Sequence, residues 1–471
     1  MSRNTPFFLL AALSLAACTV GPDYARPSVE IPAAFKEAGS WKVGEPRDHL
    51  PRGKWWEIFG DPLLNELQEQ VTSANQNVRI AEAQFRQARA LAQASQAGAF
   101  PSVSGGLSAA RSHASSAGQV ATSHTFSLSA SWEADLWGRV RRQVEAGEAG
   151  AQASAADLEA VRLSAHAAMA QNYLLLRSAD TQKRLLDDTV AAYEKSLQLI
   201  RNRYAAGVAA RVDVIQAQTQ LKATQAQSID LGVQRAQLEH AIAVLCGKTP
   251  ASFAIATAPN RVVFPAIPTG VPSELLERRP DIAAAERRMA AANAQIGIAK
   301  SAFFPSLTLS ASGGYQSESL ANWLTLPNRV WSLGPAIAQN LFDGGLRRAQ
   351  NEQALAAFDA SVAAYRLAVL GGFLEVEDNL AALRILEQEA GVQDEALQAA
   401  RESLALTINQ YKAGTVGYLN VVAAQATALA GERVATDIRG RRLNAGVLLV
   451  KALGGGWQMP APGDEGLPAL R

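Results

Sequence analysis

The side chains able to do chemistry are few and scattered through the 471 residues of this chain. Five histidines (His49, His113, His124, His166 and His240) lie far apart. Of these, His113 and His124 flank one short loop and are near enough in sequence to share a metal; as loop residues they read more simply as surface groups. Glu133 and Asp135 are an acid pair of the kind a hydrolase uses. Both fall on the polar side of an alternating segment, where charges lining the inside of a barrel are the simpler reading. The chain has no Gly-rich phosphate loop, no His-Glu-x-x-His, no Cys-x-x-Cys and no Gly-x-Ser-x-Gly elbow. No catalytic residue, cofactor or metal is therefore expected. Any energy the protein uses must come from elsewhere, because nothing in the sequence binds nucleotide.

The two cysteines cannot build a disulfide framework. Cys246, in Ala-Val-Leu-Cys-Gly, reads as a small buried apolar residue. Cys18 has a different setting. Arg3 precedes an apolar run over residues 6–16, which is the layout of a secretory signal peptide and too short for a membrane-spanning helix. The run closes as Leu15-Ala16-Ala17-Cys18, which resembles a bacterial lipobox. That places a signal peptide at residues 1–17 and a lipid on Cys18 as the new N-terminus. Thr19 at the next position resembles lipoproteins sent to the outer membrane.

The elements that must position these residues are dominated by long helices. Apolar residues make up 48% and charged residues 18% of the chain, with 44 Lys+Arg against 43 Asp+Glu. A net charge of +1 excludes nucleic acid as a partner, since phosphate binding needs surplus cations. No run of 18 apolar residues follows the signal, so a membrane crossing, if there is one, is made by β-strands.

The chain is written twice. Phe100-Pro101-Ser102 recurs as Phe304-Pro305-Ser306, and Leu136-Trp137-Gly138 is echoed by Leu341-Phe342-Asp343-Gly344. Arg203-Tyr204-Ala205-Ala206-Gly207 recurs as Gln410-Tyr411-Lys412-Ala413-Gly414, and Asp213-Val214 as Asn420-Val421. Two copies with so little length drift predict two equivalent halves, residues 76–246 and 282–453. Each opens with a helix (76–98, 282–300) that stops at Phe-Pro-Ser, because proline cannot continue it. Alternating apolar and serine-rich segments within 102–137 and 305–341 then predict two strands per half. A long helix follows (139–203, 345–410), its apolar residues stepping by three and four in a seven-residue seam of coiled-coil type. At about 1.5 Å per residue such a helix reaches roughly 100 Å. Gly207 and Gly414 break these helices, and shorter ones return over 212–246 and 419–453. These are about half as long as the outgoing helices, so the 76–98 and 282–300 helices are expected to complete the span by stacking end to end with them; an independent small domain is the alternative.

Four strands cannot close a membrane barrel, and an open edge in lipid leaves backbone groups unsatisfied. Two copies would give eight strands and three would give twelve. Trp132, Trp137, Trp323 and Trp331 cluster at the strands, as in an interfacial aromatic girdle.

Other residues carry a family resemblance. Leu275-Leu276-Glu277-Arg278-Arg279-Pro280-Asp281-Ile282 with Ala285-Glu286, Trp55-Trp56 with Asp61-Pro62, and Tyr411 to Gly414 with Ala424-Gln425 resemble the TolC-type outer membrane efflux proteins. Lys451-Ala452-Leu453-Gly454-Gly455-Gly456-Trp457 is similar to the end of their lipoprotein branch, typified by OprM. The resemblance implies an α+β membrane protein: a homotrimer with a 12-stranded outer-membrane barrel continued by a long periplasmic α-barrel. It places an equatorial domain at residues 18–75 and 247–281, with a tail at 454–471. It implies a passive exit duct for small toxic compounds or drugs in a Gram-negative outer membrane. Its partners would be a periplasmic adaptor and an inner-membrane proton-driven transporter. A protein-secretion duct and a trimeric coiled-coil surface lipoprotein remain the alternatives. By motif, Arg203, Tyr204, Gly207, Asp213, Tyr411, Gly414, Val416 and Asn420 fall at the periplasmic tip and gate. A Tyr411 hydroxyl bonded to the Asp213 carboxylate would make a latch; the alternative is that Asp213 only caps its helix. Val416 stands where some members have arginine, and Asn420 and Ala423 where they have acids, which implies an apolar constriction in place of part of an ionic latch.

Overall fold

The computed structural model describes residues 19–32, 34–38, 54–113, 120–260, 262 and 278–455. The signal peptide, Cys18, His49, the Leu275-Leu276-Glu277 part of the family motif and the Gly456-Trp457 end lie outside the described residues. In chain order the main elements are α1 (Pro62–Ala74), α2 (Gln76–Ala97), β1 (Ser102–His113), β2 (Val120–Ala134), α3 (Arg139–Ala205) and α4 (Arg211–Leu245), then α5 (Pro280–Ser301), β3 (Ser306–Ser317), β4 (Arg329–Ala338), α6 (Leu346–Lys412) and α7 (Tyr418–Ala452). The order helix, two strands, long helix, return helix occurs twice. Both opening helices have 22 residues, both long ones 67 and both return helices 35. By contacts the chain divides into two compact units: Met1–Val29, Ala83–Ala156 and Ala284–Leu367, and Glu30–Glu82, Asp157–Ala283 and Ala368–Arg471.

The first unit holds one antiparallel sheet in the order β1-β2-β3-β4. Register decides what each face carries, because paired residues share a side and neighbours along a strand alternate. Leu107 pairs with Phe126, Phe126 with Tyr315, Leu309 with Pro335 and Leu307 with Ile337, so one face is apolar along all four strands. The other face carries Ser104 opposite Ser129, Ser129 opposite Ser312 and Ser312 opposite Ser332. The apolar face has no cover among the described residues: Val103, Leu107, Trp331, Leu333 and Ile337 are all more than 70% exposed.

Where strands pass into long helices, carboxylates take up the free amides of the first helical turn. Asp135 accepts from the backbone N–H of Val140 and Arg141 at 3.0 and 2.9 Å, and Asp343 from Gly345 and Arg347 at 3.0 and 3.3 Å. Glu133 forms a two-point pair with Arg139. The two acids that sequence reading set on a barrel lining are thus occupied, Asp135 in capping α3 and Glu133 in an ion pair.

In the second unit the ends of the shorter helices meet. The Asn75 side-chain amide, just before α2, donates to the Leu245 carbonyl at the end of α4 (2.9 Å). Arg279, just before α5, donates to the Ala452 carbonyl at the end of α7 (3.1 Å). These bonds tie together the helix ends that the expected stacking would bring together. Arg177 and Arg235 converge on Asp180, whose side chain is fully buried, and both also bind carbonyls of the segment after α4, at Ala256 and Ile255. A buried carboxylate is tolerated here because two guanidiniums and the Ala258 N–H satisfy it. Trp56 stacks on His166 at 4.3 Å, and the His166 Nδ1 lies 2.6 Å from Gln68 Oε1. Burial pushes the His166 pKa down to about 4, so the ring is neutral at ordinary pH.

Candidate functional site

Two regions gather the residues that sequence reading singled out: the sheet and the two return turns. Both turns stop their helix by one backbone device. Gly207 and Gly414 have φ of +75° and +78°, the left-handed region that costs L side chains energy. Past them, the Val208 N–H reaches back to the Arg203 carbonyl (2.9 Å) and the Thr415 N–H to that of Gln410 (3.0 Å). This six-to-one closure satisfies carbonyls that the helix end leaves free. An added Cβ would meet nothing within 4 Å at either glycine, so conformation and not crowding demands them.

Beside the turns lies an apolar cluster built from both halves of the chain. Tyr193, Leu197 and Ile200 of α3, Ala217 and Leu221 of α4, and Tyr418 and Val421 of α7 are buried, with Ile408 and Tyr411 of α6 packed against them. The Arg203 guanidinium lies 4.8 Å from the centre of the Tyr411 ring, a cation–π contact that joins the end of α3 to the end of α6. Tyr411 in turn meets Tyr418 edge to face, with centroids 5.5 Å apart. Burial raises the pKa of both phenols, that of Tyr418 to about 12, so both stay neutral.

The hydrogen bond proposed as a latch is absent. Asp213 Oδ2 accepts from the Ala210 N–H at 3.2 Å, just before α4, and the buried Tyr411 hydroxyl has no hydrogen-bond partner among the described residues. Of the two readings of Asp213 the chain adopts the cap. The physical reason is local: the Ala210 N–H just before α4 holds the carboxylate, while the Tyr411 ring is turned under Arg203. Val416 is half-buried, whereas Asn420, Tyr204, Gly207 and Gly414 are exposed. Val208, Val212 and Ile215 stand 66, 57 and 51% exposed around the first turn, an apolar surface beside the exposed Arg201 and Arg211. Sequence reading missed Tyr418 as a site residue. Its signal was available, seven residues beyond Tyr411 across a glycine turn, where a tyrosine opens the return helix.

A one-sided apolar sheet rooted on 67-residue helices that end in glycine turns defines a class, the helix-rich channel of the outer membrane. The sequence model of the family described as outer membrane efflux protein matches residues 67–248 and 271–455, and the chain belongs to that family. It is 32% identical over 476 residues to the pyoverdine export outer membrane protein OpmQ of Pseudomonas aeruginosa, covering 98% of this chain and 99% of that one. The toluene efflux pump outer membrane protein TtgF of Pseudomonas putida is also 32% identical, over 96% of this chain and 97% of its own. Among solved structures, the outer-membrane channel OprN superposes with a TM-score of 0.87 at 32% identity, covering 94% of this chain and all of that one. The open state of the Neisseria gonorrhoeae MtrE outer membrane channel gives 0.85 at 29% identity, over 94 and 99%. The protein is an outer-membrane exit duct of an efflux pump, and members of this family are channels rather than enzymes.

Proposed function

We propose that three copies of this chain close one 12-stranded barrel and pass small toxic compounds outward. The duct would draw on a periplasmic adaptor and an inner-membrane proton-driven transporter. One observation carries the reading: a four-stranded sheet with an uncovered apolar face, a serine face, and β1 and β4 each paired on one side only. In lipid each open edge costs several kcal/mol per unsatisfied group, so closure by further copies is required. The apolar face then meets lipid and the serine face lines the duct. α6 supports the same assembly. An 18-residue stretch of it has mean hydropathy 1.4 with only 11% buried in the lone chain, and Leu370, Leu374 and Val392 are exposed along it. The seam opposite is filled by Val369, Val376 and Leu380, so this second stripe suits a neighbouring copy. Relatives named for toluene efflux and pyoverdine export favour small organic cargo.

In this reading the chain is a duplication. Residues 18–75 and 247–281 form an equatorial domain, Cys18 carries the lipid, and the return turns form the periplasmic gate. Arg203, Tyr411 and Tyr418 hold the turns inward, Val416 narrows the opening, and the exposed Val208, Val212 and Ile215 receive the adaptor. Native mass measurement of the detergent-extracted protein tests the assembly: a trimer is expected, and a stable conducting monomer or dimer overturns it. In planar bilayers Val416→Asp should raise resting conductance by forcing three carboxylates together. Unchanged conductance moves the gate elsewhere. Mass spectrometry of the mature N-terminus should find a lipidated Cys18; an intact Ala17–Cys18 bond removes the anchor.

A further inference from the structure

The segment between β3 and β4 is built inside out. Its polar groups turn onto one another: Thr325 Oγ1 donates to the Asn322 carbonyl (2.7 Å), and Asn328 Nδ2 donates to that same carbonyl (2.6 Å). Its leucines face away, with Leu320 63%, Leu324 64% and Leu326 76% exposed. Water does not reward that arrangement; a loop that turns Thr325 and Asn328 inward and presents leucines suits an apolar neighbour.

The sheet register tells which side the neighbour is on. His124 precedes Phe126 and Leu128 by steps of two, so it belongs to the apolar face. The Trp323 ring of the loop lies 6.2 Å from the His124 ring. The loop therefore leans over the apolar face and away from the serine face, and its leucines continue the apolar band at the end remote from the helices. On the same face and at the same end the strands carry Arg111, two steps beyond Ala109, and Arg329, two steps before Trp331. Both arginines are exposed and neither has an ion-pair partner among the described residues.

We propose that this rim is a docking surface for an anionic lipid leaflet: Leu320, Leu324 and Leu326 enter the acyl layer while Arg111 and Arg329 meet headgroup phosphates. The proposal rests on the reading of the sheet as a membrane wall. Leucines at the acyl boundary gain by burial, and guanidiniums bind phosphate with two-point geometry. Packing of the three loops on one another over the duct would require the loop to lean toward the serine face, which the Trp323–His124 contact opposes.

The test places an environment-sensitive thiol fluorophore on Leu326→Cys in the full trimer, with the unsubstituted protein as labelling blank. The protein is reconstituted into phosphatidylethanolamine–phosphatidylglycerol vesicles. Quenching by a lipid spin-labelled near the headgroup should exceed quenching by aqueous iodide several-fold. Replacing phosphatidylglycerol by phosphatidylcholine, or combining Arg111→Gln with Arg329→Gln, should shift the balance back toward iodide. Strong iodide quenching in the anionic vesicles overturns the proposal, since the loop then faces water. Protection from both quenchers overturns it in favour of loop-on-loop packing, and indifference to lipid charge and to both arginines overturns the anionic assignment. A label on Leu333→Cys, in the middle of the band, separates the two levels. If that label is not lipid-quenched, the membrane wall itself fails; if it is quenched while the Leu326 label is not, only the docking surface fails.

Discussion

The two return turns share a backbone and differ in nearly every side chain that surrounds it. Tyr204 and Tyr411 occupy equivalent positions before Gly207 and Gly414, yet Tyr204 is 46% exposed while the Tyr411 ring lies under Arg203. Asp213 and Asn420 are equivalent on the return helices, and both backbone N–H groups reach the carbonyl three residues back, but only the Asp213 side chain accepts from the backbone ahead of it. Arg211 is exposed where Tyr418 is buried. The first turn is thus held by a charged cap and leaves an apolar surface free. The second is held by aromatic packing and has no side-chain cap at Gly417. The two turns share what the chain needs to reverse direction, a left-handed glycine and a six-to-one backbone closure, and differ in what surrounds it.

The largest expected effect that would sharpen this contrast is at the position shared by Arg211 and Tyr418. Tyr418→Ala removes a buried ring from the cluster and should cost about 3–5 kcal/mol in chemical denaturation. Arg211→Ala should stay within roughly 0.5 kcal/mol, as for an exposed site. Equal losses would show that the turns are energetically alike.

His166, buried against Trp56, has its pKa lowered from 6.5 to about 4. The folded form thus takes up its proton later than the unfolded form. Its contribution is complete above about pH 6.5 and is lost as pH falls toward 4, on the order of 2 kcal/mol by pH 5. Melting from pH 7 to pH 5 should lower the midpoint, and His166→Gln should flatten the profile. A steep profile surviving in that variant would place the acid-sensitive group elsewhere.

Next in size comes the cap. Asp213→Ala should lose about 1 kcal/mol and Asn420→Ala only a few tenths, measured by thermal unfolding. Comparable losses would mean that Asn420 caps as well.

Tyr411→Phe is expected to be the mildest change. Its hydroxyl is buried and unpaired, so removal should be neutral or slightly stabilising, while the ring contact with Arg203 persists. A clear destabilisation, or a jump in channel opening, would restore the hydroxyl latch that the chain by itself does not form.

Much of this protein was legible in residue order. Period-two serine alternation marked the strands, the seven-residue seam marked the 67-residue helices, and Gly207 and Gly414 marked their ends within two or three residues. These signals survive in one dimension because each follows from local backbone sterics or from a face that must be apolar along its whole length. The sequence also carries no Gly-rich phosphate loop, His-Glu-x-x-His or Gly-x-Ser-x-Gly elbow, each of which needs several residue types at fixed spacing. The tertiary structure alone decided which of two chemically plausible partners a side chain takes. Asp213 could reach a tyrosine or its own helix start, and the Ala210 amide next to it won. Arg203 shows no pattern in sequence that points to the Tyr411 ring more than 200 residues away, and Trp323 none that points to His124. Such pairings depend on where separate helices and strands are brought together, on distances of a few ångströms that no local rule encodes.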